Sequence, residues 1–262
     1  SDSVKKYMEK LTEWHRLDPK CDIEIIFSSP ISDLIEKPTP SLIKIPKSYK
    51  KMATEFNEDV YGKPTVKKCI PFLDALTIGY TINTPIEYLF DVSKKIVDNK
   101  ETHHFQLFYA ENVPESLKDF IGIGSHDLQQ ISKELRSQYS TLNMVGKLIN
   151  SWTIKTPPGY SCIFTTPFNR NLPFKIIDGV VDTDQYSLPI HFPFYWTQDN
   201  NIKQTLLPPG TPMALVIPFK RDSWKMKIEK NDHKELINNE MKLSQYIIDK
   251  YKRLFWKKKS YR

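Results

Sequence analysis

Residues 177–186 read IDGVVDTDQY, and this stretch decides the fold more clearly than any other part of the chain. Its two consecutive valines are β-branched and favour a strand. The carboxylates that follow, Asp182 and Asp184, favour a tight turn because their side chains accept hydrogen bonds from nearby backbone N–H groups. The pattern therefore predicts a β-hairpin that turns after the valines and returns as a second strand from Tyr186.

Similar short runs surround this hairpin on both sides. They are separated by proline and glycine turns and are rich in the residues that strands prefer. We therefore predict a mainly β fold with an antiparallel core over residues 70–220. The runs are GYTINTPIEYLF (79–90), HHFQLFYA (103–110), WTIKTPPGYSCIFTTPF (152–168), FKIIDGVVDTDQY (174–186), LPIHFPFYW (188–196) and TPMALVIPF (211–219).

Outside these runs, apolar residues recur at helical spacing at both ends of the chain and in one insertion. The proline-rich part near the N-terminus shows little periodicity, which indicates an arm that is either extended or laid on the core. The predicted N-terminal region (1–69) has a helix over 4–17, a strand over 21–27 and the proline-rich arm at 28–71. The predicted β core (70–220) has an insertion at about 91–150 that holds a helix over 114–138. The predicted C-terminal region (221–262) has an amphipathic helix over 232–256 and a basic tail.

The net charge of +7 belongs to the end of the chain rather than to the whole surface. Residues 250–262 read KYKRLFWKKKSYR and hold seven cations and no carboxylate, so the remaining residues are neutral overall. Attraction to phosphates or to an acidic surface is therefore a property of this tail. We expect partner contacts, with nucleic acid or an acidic surface, from Lys250, Lys252, Arg253, Phe255, Trp256, Lys257, Lys258 and Lys259.

Several protein classes are disfavoured by what the sequence does not contain. No apolar run approaches the ~18 residues that a membrane-spanning helix needs, and the charged start SDSVKKYMEK does not resemble a secretion signal. The cysteines, Cys21, Cys69 and Cys162, sit in no CxxC spacing and are expected to be reduced thiols. Adjacent histidines at 103 and 104 point to opposite faces of a strand, so we predict no metal site. The GIGSH run at 122–126 lacks the third glycine of a dinucleotide-binding loop.

Four motifs occur in the order and spacing of one known family. They are PPG (157–159), the IDGVVDTDQY hairpin, GTPMALVI (210–217) and, upstream, ALTIGYTI (75–82). They resemble the PPG turn, the GVIDxDY hairpin, the GDRIAQ turn and the AGYDL motif of the dUTPases. The chain thus resembles a divergent member of the dUTPase and dCTP deaminase-like superfamily over about half its length. The resemblance implies a β-clip fold, a distorted antiparallel β-barrel, assembled as a homotrimer.

The resemblance also implies site residues. In the enzymes of this family, the carboxylate at the position of Asp182 orients the attacking water, and the tyrosine at the position of Tyr186 packs under the deoxyribose. The implied nucleotide-binding residues are Asp182, Asp184, Tyr186 and Arg170, with Asp182 as the candidate catalytic residue and Mg²⁺ as the cofactor of such an enzyme. The local sequence by itself favours a simpler role, because carboxylates in hairpins are common turn formers.

Departures from the family pattern weigh against catalysis. Pro167 and Phe168 stand where the enzymes have an RSG triplet that binds phosphates, so the guanidinium fork is lost. Thr81 replaces an aspartate of the first motif, and Leu215 replaces the glutamine of GDRIAQ. The glycine-rich C-terminal arm that closes the enzyme site is also missing, because Gly210 is the last glycine of the sequence. A site of this kind would have little stabilisation for transition-state charge.

We therefore expect a non-catalytic structural or interaction protein with a dUTPase-like fold and no cofactor. The resemblance implies a trimer, and the composition, rich in Lys, Ile and Asn, suggests a phage or another virus as the source. We therefore expect a virion component, found in the virion or the host cytoplasm and not secreted. The apolar run FPFYW (192–196) is expected to contribute to the contact between subunits. The alternative is a divergent nucleoside-triphosphate hydrolase or nucleotide-binding protein that uses Asp182 and Tyr186 with Mg²⁺.

Overall fold

Short strands make up most of the regular structure in the computed structural model of the chain. It describes residues 23–56, 63–97, 100–108, 113–139, 145–198, 204–231, 233–244, 251–252 and 255–262. The strands are β1 (Ile26–Ser28), β2 (Thr39–Pro40), β3 (Glu55–Phe56), β4 (Lys63–Pro64), β5 (Tyr80–Asn83), β6 (Tyr88–Val97), β7 (Lys100–Phe108), β8 (Gly122–Ser125), β9 (Gly146–Ile149), β10 (Thr153–Lys155), β11 (Tyr160–Thr165), β12 (Phe174–Ile176), β13 (Gly179–Val181), β14 (Phe192–Trp196), β15 (Gln204–Leu207) and β16 (Pro212–Lys220). The α-helices are α1 (Lys47–Lys51), α2 (Ile70–Thr77), α3 (Glu115–Lys118), α4 (Lys133–Tyr139) and α5 (His233–Ser244), and 3₁₀ turns occupy Ser41–Lys44, Val66–Lys68 and Leu128–Gln130.

Antiparallel pairing joins these strands into five sheets. The largest has the order β13-β11-β16-β5-β2 and the next has the order β12-β14-β9-β8. A three-stranded sheet, β15-β6-β7, and the pairs β1-β10 and β3-β4 complete the set. The prediction of a mainly β fold with antiparallel sheets is confirmed. The strands of the described ranges do not close into a barrel, because β13 and β2 leave the largest sheet with two separate edges.

The centre of the largest sheet is the pair of β11 and β16. Tyr160 lies opposite Lys220 at one end of this pair, and Thr165 lies opposite Leu215 at the other. Each strand begins after a glycine with a positive φ, 86° at Gly159 and 75° at Gly210, a conformation that glycine adopts without a steric penalty. The turns predicted at PPG (157–159) and at Gly210 therefore precede β11 and β16, the two longest strands of this sheet.

The core is built from aromatic rings that the second sheet shares with β6. The ring centroid of Phe90 lies 6.3 Å from Phe174, 6.3 Å from Phe194 and 5.5 Å from Trp196. All four side chains are fully buried. Offset and edge-to-face contacts at these separations are the geometry that aromatic pairs prefer.

The prediction that residues 192–196 lie at a contact between subunits is wrong, because their aromatic side chains are buried within a single copy of the chain. Phe192, Phe194 and Trp196 are 1%, 0% and 1% exposed within a single copy of the chain. The reason is the position of β14, which lies between β12 and β9 and so has neighbours on both sides. The sequence shows the apolar character of this run but not the strands that cover it.

The described part of the N-terminal region lies on the core. Ile31 and Ile35 are buried in the main hydrophobic cluster. A second, smaller cluster forms where Ile45 and Tyr49 pack with Leu76 of α2, a helix that the sequence pattern does not predict. Of the two alternatives for the proline-rich arm, the structure agrees with a segment laid on the core.

The helix predicted over residues 114–138 is wrong as a single element. The chain forms two short helices there, α3 and α4, and inserts β8 between them. Gly122 and Gly124 disfavour a continuous helix, because glycine costs roughly 1 kcal/mol relative to alanine in a helix interior. The buried Ile121 directly before them instead leads into a strand that pairs with β9.

The C-terminal helix predicted over 232–256 is confirmed over His233–Ser244. Residues 251–252 are also helical, whereas 256–262 form neither helix nor strand. The helix predicted over 4–17 lies outside the described residues. None of the helices in the described ranges combines the length and the apolar character that crossing a bilayer requires.

Candidate functional site

The IDGVVDTDQY stretch forms a strand and a tight turn, as predicted. β13 pairs with β11, and the turn is closed by the N–H groups of Gln185 and Tyr186, which donate to the carbonyl oxygen of Asp182 at 3.0 Å and 2.9 Å. The return strand predicted from Tyr186 is wrong, because the residues between the turn and β14 form no strand. The side chain of Tyr186 is exposed.

Asp184 is the buried anchor of this turn. Its side chain is 2% exposed, and one carboxylate oxygen accepts a 2.8 Å hydrogen bond from the backbone N–H of Gly159 in the PPG turn. Arg221, the residue directly after β16, grips both carboxylate oxygens: Nη1 donates to Oδ1 at 2.8 Å, and Nη2 forms an ion pair with Oδ2. Bidentate pairs of this kind are the strong form of the arginine–carboxylate interaction.

The electrostatics of this pair keep both groups charged. The hydrogen bonds from Arg221 and from the Gly159 N–H lower the pKa of the Asp184 carboxyl to about 2. The same contact with Asp184 raises the pKa of Arg221 above its ordinary value. The ion pair is therefore complete at any pH near neutrality.

Asp182, the candidate catalytic residue, occupies the outer side of the same turn. Its side chain is 65% exposed, and Oδ1 accepts a 2.7 Å hydrogen bond from the hydroxyl of Ser161, a buried residue of β11. Nη1 of Arg221 lies 3.3 Å from the same oxygen. The carboxylate is thus accessible to solvent but is already bound to a hydroxyl and to the nearest guanidinium.

Two buried hydroxyl groups contact each other between the PPG turn and the turn after β13. Thr156 and Thr183 lie 2.7 Å apart through their Oγ1 atoms, and both are buried. Nη1 of Arg221 also donates to the carbonyl oxygen of Tyr160 at 2.9 Å. We call the set of Asp182, Asp184, Arg221, Ser161 and Gly159 the carboxylate clasp. Its contacts tie the PPG turn, the turn after β13 and the end of β16 together.

Arg170 does not join the clasp. It follows the far end of β11, opposite the end that carries Ser161, and its guanidinium donates to the carbonyl oxygen of Lys44. Burial lowers the pKa of Arg170 to about 10. The structure therefore brings Asp182, Asp184 and Tyr186 together in one turn and places Arg170 in a different environment.

Arg221 is the site residue that sequence reasoning missed. It lies 37 residues beyond Asp184 and belongs to no motif. The only sequence signal is its position just beyond the end of a predicted strand that begins at a glycine turn. Such a position could be recognised only once the pairing of β11 with β16 is known.

The basic tail is fastened to its own chain. The indole Nε1 of Trp256 donates to both carboxylate oxygens of Asp74 in α2, at 3.1 Å and 3.0 Å, and Nζ of Lys259 contacts the same carboxylate at 2.5 Å. The ring of Tyr261 meets the ring of Tyr80 edge-on at 5.8 Å. Two residues expected to bind partners thus have intramolecular contacts that the sequence did not predict.

The other tail residues divide into three groups. Lys250 and Arg253 lie outside the described residues. Lys252 is half-buried, whereas Phe255, Lys257 and Lys258 are exposed. The prediction of a partner-binding tail therefore concerns these three exposed residues.

Residues 222–231, DSWKMKIEKN, are an exposed segment between β16 and the helix predicted over 232–256. The segment contains no helix or strand, and every residue in it is exposed. Trp224, Met226 and Ile228 are 92%, 84% and 85% exposed. Apolar residues at every second position, separated by charged ones, are the pattern of a half-buried strand. We call residues 222–231 the arm.

A groove of about 450 Å³ opens beside β8. Its apolar lining comes from Phe120, Ile121, Ile123, Ile149 and Pro189. His191 also lines the groove, and its Nδ1 accepts a 3.1 Å hydrogen bond from the backbone N–H of Asn150. Burial and the nearby Lys147 lower the pKa of His191 below its ordinary value.

Comparison with known proteins adds no relative to these observations. No protein-family profile matches the chain, and no curated protein matches it significantly. The assignment of a role therefore depends on the geometry of the clasp, the arm, the groove and the tail.

Proposed function

We propose that this chain is a non-catalytic interaction subunit with a dUTPase-like β-clip fold, which assembles as a homotrimer and serves as a structural component of a larger, virus-type assembly. The observation that carries the proposal is the arm. Three large apolar side chains that are more than four-fifths exposed favour a surface that another protein covers. The arm begins directly after Arg221, so the clasp holds its base.

The arrangement of the motifs supports the proposed fold. The PPG turn and the hairpin turn contact each other through the hydrogen bond from Gly159 to Asp184. The strand that follows Gly210 ends at Arg221, which binds the same carboxylate. Three motifs that are separated in sequence thus lie in one sheet, and this grouping supports the proposed fold.

The carboxylate clasp supports a structural role for the hairpin. A phosphate-binding arginine needs a free guanidinium fork, whereas the fork of Arg221 is occupied by Asp184. Arg170, the other candidate, donates to the carbonyl oxygen of Lys44. Neither arginine is therefore poised to bind a phosphate next to Asp182.

The alternative, a nucleotide hydrolase or nucleotide-binding protein, is favoured by one observation. The side chains of Asp182 and Tyr186 are both exposed and belong to the same turn. In that case Asp182 would orient a water molecule and Mg²⁺ would bind the phosphates.

Turnover measurements separate the two functions. The full chain is incubated with each common nucleoside triphosphate and Mg²⁺, beside an Asp182→Asn variant and a matched Asp222→Asn variant that changes an exposed carboxylate outside the hairpin. We expect no turnover, and sedimentation is expected to give three times the chain mass of 30.7 kDa. Turnover that Asp182→Asn abolishes and Asp222→Asn preserves would overturn the non-catalytic proposal.

A further inference from the structure

The arm has the sequence of a strand but no sheet to join in its own chain. Trp224, Met226 and Ile228 alternate with the charged residues between them, so that in a strand all three would face one side. Their exposure shows that they do not enter the groove of the same copy. Half-buried strands with this alternation are stable when one face packs on an apolar surface.

A receiving surface for such a strand is present on the same chain. Within the described residues, β8 pairs with β9 on one side only and is therefore an edge of its sheet. Two of the four residues of β8, Gly122 and Gly124, carry no side chain, which is typical of strands that another backbone approaches closely. The groove lies directly beside it and has a mixed lining, in which the partly exposed Phe120 supplies apolar surface next to polar residues such as Asn150 and His191.

We infer that the arm of one copy adds as a strand to the β8 edge of a second copy and places its apolar face in the groove beside that edge. The inference rests on the proposed function and identifies the partner as the chain itself. Addition of a strand to an open edge supplies backbone hydrogen bonds, while pockets for alternate side chains supply specificity.

A second copy is favoured as the partner because both halves of the contact occur on each chain. An exchange that closes between copies satisfies every arm and every groove, as symmetric assemblies require. Each copy would contribute the ten residues of the arm together with the groove and the edge strand, which approaches the roughly 20–30 residues a side of a stable interface. The indole of Trp224 alone can bury about 200 Å².

The charges of the arm disfavour an anionic membrane as the partner. Its lysines, Lys225, Lys227 and Lys230, are offset by Asp222 and Glu229, and Lys227 forms an ion pair with Glu229. Membrane-bound basic segments owe much of their affinity to an excess of cations. The excess in the arm is a single charge, so apolar contact with protein is the stronger interaction.

Cross-linking between two differently labelled copies tests the location of the contact. Both copies carry Cys21→Ser and Cys69→Ser to remove background thiols. One copy also carries Met226→Cys, the other carries Phe120→Cys, and a short bis-maleimide is added to the mixture. We expect a cross-linked pair with Phe120→Cys and none with the matched control Val180→Cys, which places the thiol on the edge strand β13.

Sedimentation tests the energetic role of the arm. A variant with Trp224→Ser, Met226→Ser and Ile228→Ser keeps its core because the replaced side chains are exposed, and circular dichroism checks this. We expect self-association at least about 30-fold weaker, the effect of removing a buried aromatic anchor. The matched control is Leu236→Ser with Ile237→Ser, which removes exposed apolar side chains from α5 and leaves association unchanged.

The outcomes are separable. A wild-type chain that stays monomeric, a triple variant that associates as well as the wild type, or a cross-link at Val180→Cys in place of Phe120→Cys would each overturn the inference. Loss of binding to anionic phosphatidylserine vesicles in the triple variant, without any change in association, would also overturn it and identify a membrane site. A monomeric wild-type chain would overturn the proposed trimer together with this inference. Unchanged association of the triple variant, or a cross-link at Val180→Cys in place of Phe120→Cys, would overturn the inference alone, because the trimer and the absence of nucleotide turnover would still stand.

Discussion

The ring of Phe194 fills the space that a side chain at Gly146 would need. A Cβ placed on Gly146 would lie 2.2 Å from Cζ and 2.4 Å from Cε1 of Phe194, and the two residues are opposite each other in β9 and β14. The absence of a side chain at 146 therefore allows the aromatic core to extend across the strand pair.

The first prediction concerns this pair. Gly146→Ala forces the ring of Phe194 or the strand to move and should lower the free energy of unfolding by about 1–3 kcal/mol, the usual cost of overpacking. Adding Phe194→Leu, which removes the ring, should recover part of this loss, so that the double variant is more stable than the sum of the single effects. Urea unfolding measures all three variants, and strictly additive effects would contradict the close contact.

The second prediction concerns the clasp. Arg221→Ala leaves the buried carboxylate of Asp184 without its cation and should lower the melting temperature markedly. Lys220→Ala is the matched control, because Lys220 pairs with Asp222 at 3.1 Å on the surface and such pairs contribute little. Thermal unfolding followed by circular dichroism gives both values. Equal effects of the two substitutions would show that the clasp is not structural.

The third prediction follows from the pKa of Asp184, which is held at about 2 against an ordinary value of 3.8. As pH falls between these two values, the unfolded chain takes up a proton on this carboxyl before the folded chain does. The stabilisation present above the ordinary pKa is thus lost as pH falls through the folded pKa. Asp184→Asn should lose less stability than the wild type over this range in urea unfolding. Parallel pH profiles of the two proteins would contradict the assignment.

The fourth prediction concerns the anchoring of the tail. Asp74→Ala removes the acceptor of Trp256 and the partner of Lys259, so the tail should detach and become a better protease substrate. Limited trypsin digestion followed by mass spectrometry should show faster cleavage after Lys257 and Lys258. Asp222→Ala serves as the control, and cleavage at the wild-type rate in Asp74→Ala would show that these contacts do not hold the tail.

The fifth prediction addresses the outward side of the tail. Replacing Lys257 and Lys258 by glutamine should weaken binding to a heparin column and reduce its dependence on salt, because fewer counterions are released on binding. Replacing Lys225 and Lys227 in the arm removes the same charge and should have a smaller effect. Elution of the tail variant at the wild-type salt concentration would show that the polyanion binds elsewhere.

The sequence predicts the strands that are bracketed by strong turn signals and fails where glycine lies inside a strand. β11 and β16 follow PPG and Gly210 and are found as expected. β8 and β9 contain Gly122, Gly124 and Gly146, whose lack of a side chain removes the apolar alternation on which strand prediction depends. These strands are defined by pairing with β14 and with each other, which is a property of the fold and not of the local sequence.

The same distinction applies to the candidate site. Asp182, Asp184 and Tyr186 fall in one turn, which local sequence is sufficient to predict. The contribution of Arg221 and the separate location of Arg170 depend on which ends of β11 and β16 lie together, and no local signal contains that information. The arm was not predicted as a separate element for another reason. Its apolar residues recur at every second position, but the helical spacing of α5 follows so closely that the two patterns are hard to separate in the sequence.

The strand order of the largest sheet constrains how the chain can fold during synthesis. β16 lies between β11 and β5, yet it is the last of the five strands to leave the ribosome. Until residue 220 has emerged, β5 and β11 lack the neighbour that they share, and each presents an open edge to solvent. Pairings this distant in sequence form slowly. A nascent chain of this protein therefore holds an incomplete sheet with open strand edges until β16 has emerged.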